Sequence, residues 1–320
     1  MTREHLDLGD AAPTDAPDEP GAPIPARRRR GLPLALLVEA RPKQWVKNVL
    51  VFVAPAAAGV LDQRGPFVDS CIAFVCFCLA SAGTYYLNDA ADAEADRLHP
   101  KKRFRPIAAG EIPLPLARVV GVLLIVGGVA LGFTARWQLS VVVASYVAIT
   151  TVYTIWLKHV AVFDIVGVAA GFVLRAIAGA AAVDVPISNW FFIVASFGSL
   201  FMVVGKRRAE TNEMGAEAVA VRSTLGDYTP EFLTYLQSVS TGVVLVAYCV
   251  WAFEKAADLQ AHVPWFQLSI VPFSLAILRY ALLVDSGQGG APEDVVLRDR
   301  PLQAMGVLMA LLFAAGVYVS

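Results

Sequence analysis

Charge is scarce in this chain. Asp, Glu, Lys and Arg make up only 17% of its 320 residues, while 57% are hydrophobic and the mean hydropathy is +0.59. A soluble domain carries about a quarter charged residues, so a water-exposed globule is excluded. Cysteine is scarce too. Cys71, Cys76, Cys78 and Cys249 all sit inside apolar runs, which rules out a disulfide framework. Cys76-Phe-Cys78 has neither the spacing nor the setting of a zinc knuckle. Residues 1–26 almost lack large apolar side chains and are rich in Pro, Ala, Asp and Glu. Such a segment is expected to be disordered, giving a tail over 1–30 and a single membrane domain over 31–320. The basic run Arg27–Arg30 does not open a signal peptide. The apolar run after it is broken by Glu39, Arg41, Lys43 and Lys47, so the run reads as a topology anchor beside anionic lipid.

What is abundant is long apolar sequence. A helix crossing a bilayer needs roughly 20 mostly apolar residues. Stretches near 45–61, 67–87, 114–135, 139–157, 160–182, 188–205, 231–253, 264–284 and 301–319 qualify. The expected fold is therefore an all-α integral membrane bundle of about nine helices with cap loops, its short turns joining antiparallel neighbours. The connections of one parity hold Arg97, Lys101, Lys102, Arg103, Arg105, Lys158, Lys206, Arg207, Arg208, Arg222, Arg298 and Arg300. The other parity holds only Arg64, Arg136 and Lys255. The positive-inside rule then puts the N-terminus in the cytoplasm and Ser320 outside. The long charged connections, 88–113, 206–230 and 285–300, are all inside, so the active face is expected there. Trp190, Trp251 and Trp265 near span ends suit interfacial belts. Gly167, Gly171, Gly179 and the run Ala176–Ala182 suit close helix packing.

The stretch Asn88-Asp89-Ala-Ala-Asp92-Ala-Glu94-Ala-Asp96 stands out. On one continuous helix Asn88, Asp89, Asp92 and Asp96 share a stripe and Glu94 points away. Carboxylates so placed beside an apolar medium repel one another unless a divalent cation lies between them. Mg²⁺ takes hard oxygen ligands together with phosphate oxygens and water. The cations that follow, Lys101, Lys102, Arg103 and Arg105, complete a grip for a diphosphate.

At this point a resemblance enters. Asn88-Asp89-x-x-Asp92-x-x-x-Asp96 resembles the first Asp-rich motif of the UbiA-type intramembrane prenyltransferase superfamily, over about 41–320. Arg41-Pro-Lys43-Gln-Trp-Val-Lys47-Asn48, His99-Pro-Lys-Lys-Arg-Phe-Arg-Pro-Ile-Ala-Ala-Gly110, Gly205-Lys-Arg-Arg-Ala-Glu210 and Leu297-Arg-Asp-Arg-Pro301 are similar to the actinobacterial decaprenyl-phosphate phosphoribosyltransferase branch. One departure matters. Where superfamily members using prenyl diphosphates carry a second Asp-rich motif, this chain has only Asp164. That suits an isoprenoid monophosphate acceptor. The resemblance implies a Mg²⁺-dependent transfer of 5-phosphoribose from phosphoribosyl pyrophosphate to a polyprenyl phosphate in the cell membrane. It suggests a ten-unit lipid and a homotrimer, and no nucleic-acid partner is expected.

On that reading Asn88, Asp89, Asp92 and Asp96 hold the metal, with Asp92 and Asp96 central. Lys101, Lys102, Arg103 and Arg105 bind donor phosphates. Lys43, Lys47 and Asn48 either bind phosphate or snorkel at a helix end. Tyr153 and Lys158 hold a phosphate, unless Lys158 only anchors the helix. Asp164 orients ribose hydroxyls or pairs with a cation. Lys206 and Glu210 pair at the site, and Arg207 and Arg208 either join it or form a stop-transfer cluster. Arg175, deep in the fifth span, binds the acceptor phosphate or a structural partner. Tyr228 and Arg298 help close loops over the site, and His159 is a plain loop residue. Two other functions compete: prenylation of an aromatic ring by a prenyl diphosphate, and ion transport. The lone Asp164 beside a dense cation cluster disfavours the first. A transporter would place more charge at midplane than Arg175 alone and would show a repeat.

Overall fold

The computed structural model describes residues 30–99, 102–214, 223–258, 263–287 and 292–319. Residues 1–29 of the expected tail lie outside this set, as do Lys101, Arg222 and Ser320. Arg30 is described, and its guanidinium pairs with Glu111 at 3.2 Å.

Twelve α-helices are described. They are α1 (Leu32–Glu39), α2 (Val53–Ala58), α3 (Arg64–Ala91), α4 (Ala93–Leu98), α5 (Leu114–Ala135), α6 (Trp137–Ile155), α7 (Phe163–Val183), α8 (Asn189–Met214), α9 (Pro230–Asp258), α10 (Trp265–Asp285), α11 (Pro292–Arg298) and α12 (Arg300–Tyr318). No strand occurs among the described residues. Eight of the helices are long and apolar enough to cross a membrane. Many of their large apolar side chains face outward, among them Val119, Leu123, Phe133 and Leu311. Backbone polar groups in lipid must be satisfied within the segment, and helices do this.

The ninth expected crossing is different. Pro42–Phe52 is a 3₁₀ helix of 11 residues that runs into the six-residue α2. Its sequence explains the break from α geometry. Pro42 starts the segment, Pro55 sits within α2, Val46, Val49, Val51 and Val53 are β-branched, and Gly59 ends it in the left-handed region. A 3₁₀ helix rises about 2.0 Å per residue against about 1.5 Å in an α-helix. Laid in line, the 3₁₀ piece and α2 would extend roughly 31 Å, the thickness of a hydrocarbon core.

Packing sets where the charged ends fall. α3 is the most enclosed span and lies against α5, α6, α7 and the 3₁₀ segment. α8 pairs with α9, and α10 with α12. The 3₁₀ segment passes so close to α7 that a Cβ on Gly179 would overlap the Val51 carbonyl oxygen. Gly179 therefore packs as its small size suggests. Trp251 does not join an interfacial belt. It is buried, stacked on Phe313 and edge-on to Phe266. At the opposite end Arg136 pairs with Asp184 at 2.9 Å, which ties the α5–α6 turn to the α7–α8 turn.

Candidate active site

The Asp-rich stretch does not lie on one continuous helix. α3 ends at Ala91, Asp92 has φ −90° and ψ 6°, and α4 begins at Ala93. The interruption separates the carboxylates by environment. Asp89 and Asp96 are buried, Asp92 is exposed, and Asn88 is half-buried.

Cations gather on the two buried acids. Arg105 Nη1 donates to Asp89 Oδ1 at 3.0 Å and to Asp96 Oδ2 at 2.8 Å. Lys102 Nζ lies 3.8 Å from Asp96 Oδ1. Arg41 pairs with Asp89 from the other side and stacks over the Tyr85 ring at 4.5 Å. Arg41 holds a left-handed φ of 52° between α1 and the 3₁₀ segment. A non-glycine residue adopts that region at a cost. Glu39, at the end of α1, is 1% exposed beside Asp89. Burial first, and then the Asp89 carboxylate, pushes its pKa up to about 8. The expected site did not include Glu39 or assign a role to Arg41. The only signal for either was that they interrupt an apolar run.

The remaining predicted residues fall into further groups. Lys43 and Arg103 are exposed, and Arg103 stacks on Phe104 at 4.9 Å. Lys47 donates to Gln44. Lys158 is half-buried, and His159 is exposed in a short turn.

A second cluster forms around Asp164 at the start of α7. Its carboxylate is fully buried and accepts from Arg207 Nε at 3.2 Å, from Thr224 Oγ1 at 3.3 Å and from the Tyr228 hydroxyl. Tyr228 in turn accepts from the Val162 amide at 2.7 Å. Val162 is β-branched at a left-handed φ of 69°, so this corner is strained and held by the network. Burial, followed by the hydrogen bond to Asp164, pushes the Tyr228 pKa up. Arg207 also donates to Glu210 at 2.7 Å, and Lys206 lies 3.7 Å from Glu210. Arg207 thus belongs to this buried network rather than to a stop-transfer cluster. Arg208 points elsewhere, to Gln237 and Asp285.

A third group lies within the bundle. Arg175 donates to Asn48 Oδ1 at 2.8 Å, to the Gly171 carbonyl at 2.6 Å and to the Tyr146 hydroxyl at 3.2 Å. The rings of Phe77, Tyr146 and Phe172 surround it. Asn48 and Arg175, both expected to meet substrate, are bonded to each other.

Residues 49–298 match the model of the UbiA prenyltransferase family. The chain belongs to that family. It is 44% identical over 284 residues to a decaprenyl-phosphate phosphoribosyltransferase of Corynebacterium glutamicum, covering 87% of this chain and 85% of that one. It is 41% identical over 301 residues to the protein of the same name in Mycolicibacterium smegmatis, covering 91% and 95%. Its fold resembles that of a UbiA homolog from Archaeoglobus fulgidus bound to GPP and Mg²⁺, with a TM-score of 0.63 at 19% identity, over 89% of this chain and all of that one.

Among the described residues, no three His, Cys, Asp or Glu side chains are gathered closely enough to hold a metal by themselves. Mg²⁺ is commonly held by one or two carboxylates plus substrate phosphates. The donors near Asp92 and Asp96 are hard oxygens of that kind.

Proposed function

We propose that this UbiA-family protein transfers 5-phosphoribose from phosphoribosyl pyrophosphate to a polyprenyl phosphate of decaprenyl type, releasing pyrophosphate. This would be a step toward the arabinose donor of cell-wall arabinan. The observation that carries the reading is the fold-back of Lys102 and Arg105 onto Asp89 and Asp96 at the acidic end of α3 and α4. Cations suited to phosphate thus lie beside carboxylates of the kind Mg²⁺ takes. The named relatives point to the same reaction. The charge asymmetry of the connections supports a cytoplasmic site and N-terminus in the cell membrane, with the C-terminus outside.

In this scheme Asp92 and Asp96, assisted by Asn88 and Asp89, would hold Mg²⁺ together with the donor diphosphate. When bound, the ion offsets the charge that develops on the leaving pyrophosphate. Lys102, Arg103 and Arg105 bind the donor phosphates and stabilise the same charge. The acceptor phosphate is an anion near neutral pH, so attack on the anomeric carbon needs alignment rather than a general base. Asp164 is engaged by Arg207, Thr224 and Tyr228, an arrangement that favours a positioning role there over a second metal.

Purified protein incubated with labelled phosphoribosyl pyrophosphate, decaprenyl phosphate and Mg²⁺ should yield a labelled lipid. No labelled lipid, or product only from a prenyl diphosphate and an aromatic acceptor, would overturn the reading. Asp92→Ala should abolish turnover while the protein still inserts and purifies as a single species. Near-normal, magnesium-dependent turnover in that variant would remove Asp92 from the site.

A further inference from the structure

One side chain bridges the two buried carboxylates. A single Arg105 nitrogen sits 3.0 Å from Asp89 and 2.8 Å from Asp96. The Arg105 side chain is 30% exposed, whereas those of Asp89 and Asp96 are 6% and 4% exposed. The guanidinium therefore lies between the acids and solvent. Lys102, 38% exposed, approaches Asp96 from the same segment. Arg41 and Lys102 bring the cations paired with Asp89 and Asp96 to three.

A bare divalent ion gains little from two carboxylates already neutralised by three cations. To reach Asp96 it must displace Arg105, and the freed guanidinium then loses both of its partners. A metal already bound to a diphosphate meets a different situation. Its phosphate oxygens accept the guanidinium that its metal displaces, and a planar guanidinium suits phosphate well. The number of ion pairs is then conserved. Arg41 is held by Asp89 and by the Tyr85 ring. Arg105 follows a single 3₁₀ turn, Lys102–Phe104, and is the member of the cluster placed to swing.

We propose that Arg105, aided by Lys102, is a resident counter-ion that keeps a bare divalent cation off Asp89 and Asp96 and yields to a metal–diphosphate complex, so that metal and donor bind together. This rests on the phosphoribosyl transfer reading for the identity of the diphosphate. The coupling is reciprocal by linkage: diphosphate strengthens metal binding by the factor by which metal strengthens diphosphate binding.

Calorimetric titration of the purified full-length protein tests this, with Mn²⁺ alone, inorganic pyrophosphate alone and the preformed Mn²⁺–pyrophosphate complex. The wild type should bind the complex at least about tenfold more tightly than Mn²⁺ alone. Arg105→Gln should bind Mn²⁺ alone more tightly than wild type, by about fivefold or more, and should lose most of the advantage of the complex. Arg105→Lys keeps a positive charge and should retain weak bare-metal binding. A side chain that only braced the loop would weaken every titration when removed. Mn²⁺ affinity in Arg105→Gln no higher than in wild type overturns the proposal. If that variant fails to fold, equal wild-type affinity for Mn²⁺ and its pyrophosphate complex overturns it instead. Coupled binding without phosphoribosyl transfer would sink the donor assignment and leave the counter-ion role standing; transfer without coupling would do the reverse.

Discussion

Arg175 poses a sharp choice between holding substrate and holding the bundle together, and its contacts allow the second to be worked out. Arg175→Met removes the partner of Asn48 Oδ1 at 2.8 Å, and Asn48 is only 1% exposed. An orphaned buried acceptor costs about 1–3 kcal/mol. Loss of the three surrounding rings adds about 0.5–2 kcal/mol. Against this, removing a guanidinium from midspan relieves about 2.5–3.5 kcal/mol of burial cost. The single variant should therefore shift stability only modestly, and the coupling to Asn48 is the quantity to measure. Arg175→Met, Asn48→Leu and the double variant form a cycle, read by reversible denaturation in detergent or bicelles. A charge-assisted hydrogen bond predicts a coupling of about 1.5–3 kcal/mol. Additivity within about 0.5 kcal/mol would refute the clasp. So would unchanged stability with a raised KM for the lipid acceptor, which would return Arg175 to the acceptor phosphate.

Three further outcomes follow from the geometry. Glu39 keeps its proton in the folded chain up to about pH 8 but releases it near 4.5 when unfolded. Stability should then fall as pH rises through that window, by at most about 1.4 kcal/mol per unit. Glu39→Gln should flatten the profile and be the more stable protein above pH 8 in thermal unfolding with chelator present; parallel profiles would contradict this. Gly179→Ala drives a methyl into the Val51 carbonyl and should abolish a monodisperse purified species. Gly127→Ala, whose Cβ meets nothing within 4 Å, should be silent by the same chromatography. Asp164→Ala leaves Arg207 paired with Glu210 but strips the buried Arg207 Nε and Tyr228 hydroxyl of their acceptor, and should lower stability by about 1–3 kcal/mol. An unchanged melting temperature would show that the network does not hold the 224–228 segment.

The spans were legible because lipid leaves a chain little choice: apolar length and internally satisfied backbone coincide. The exception was the segment carrying Lys43, Gln44, Lys47 and Asn48, where hydropathy locates a crossing but cannot distinguish 3₁₀ from α geometry. The Asp-rich stretch reads as one stripe on a helix, and the structure breaks that helix at Asp92. Four-residue spacing assumes an unbroken helix, and nothing local in Ala91-Asp92-Ala93 announces the interruption that buries Asp89 and Asp96 and exposes Asp92. Asp164 was visible, but its partners Thr224 and Tyr228 come from 60 or more residues away. The left-handed turns at Arg41 and Val162 are tertiary impositions on residues that do not favour them.

The 3₁₀ segment makes one more thing possible. Asn48 and Val51 are three residues apart and meet Arg175 and Gly179, which are four apart on α7. Three steps of about 2.0 Å and four steps of about 1.5 Å both come to roughly 6 Å. Over this one interval the two segments therefore advance by the same distance although they differ in residue count. Wound as an α-helix, the first segment would shorten that interval to about 4.5 Å and fall out of step. The polar clasp would then have to reach about 1.5 Å along the axis to form together with the close backbone contact.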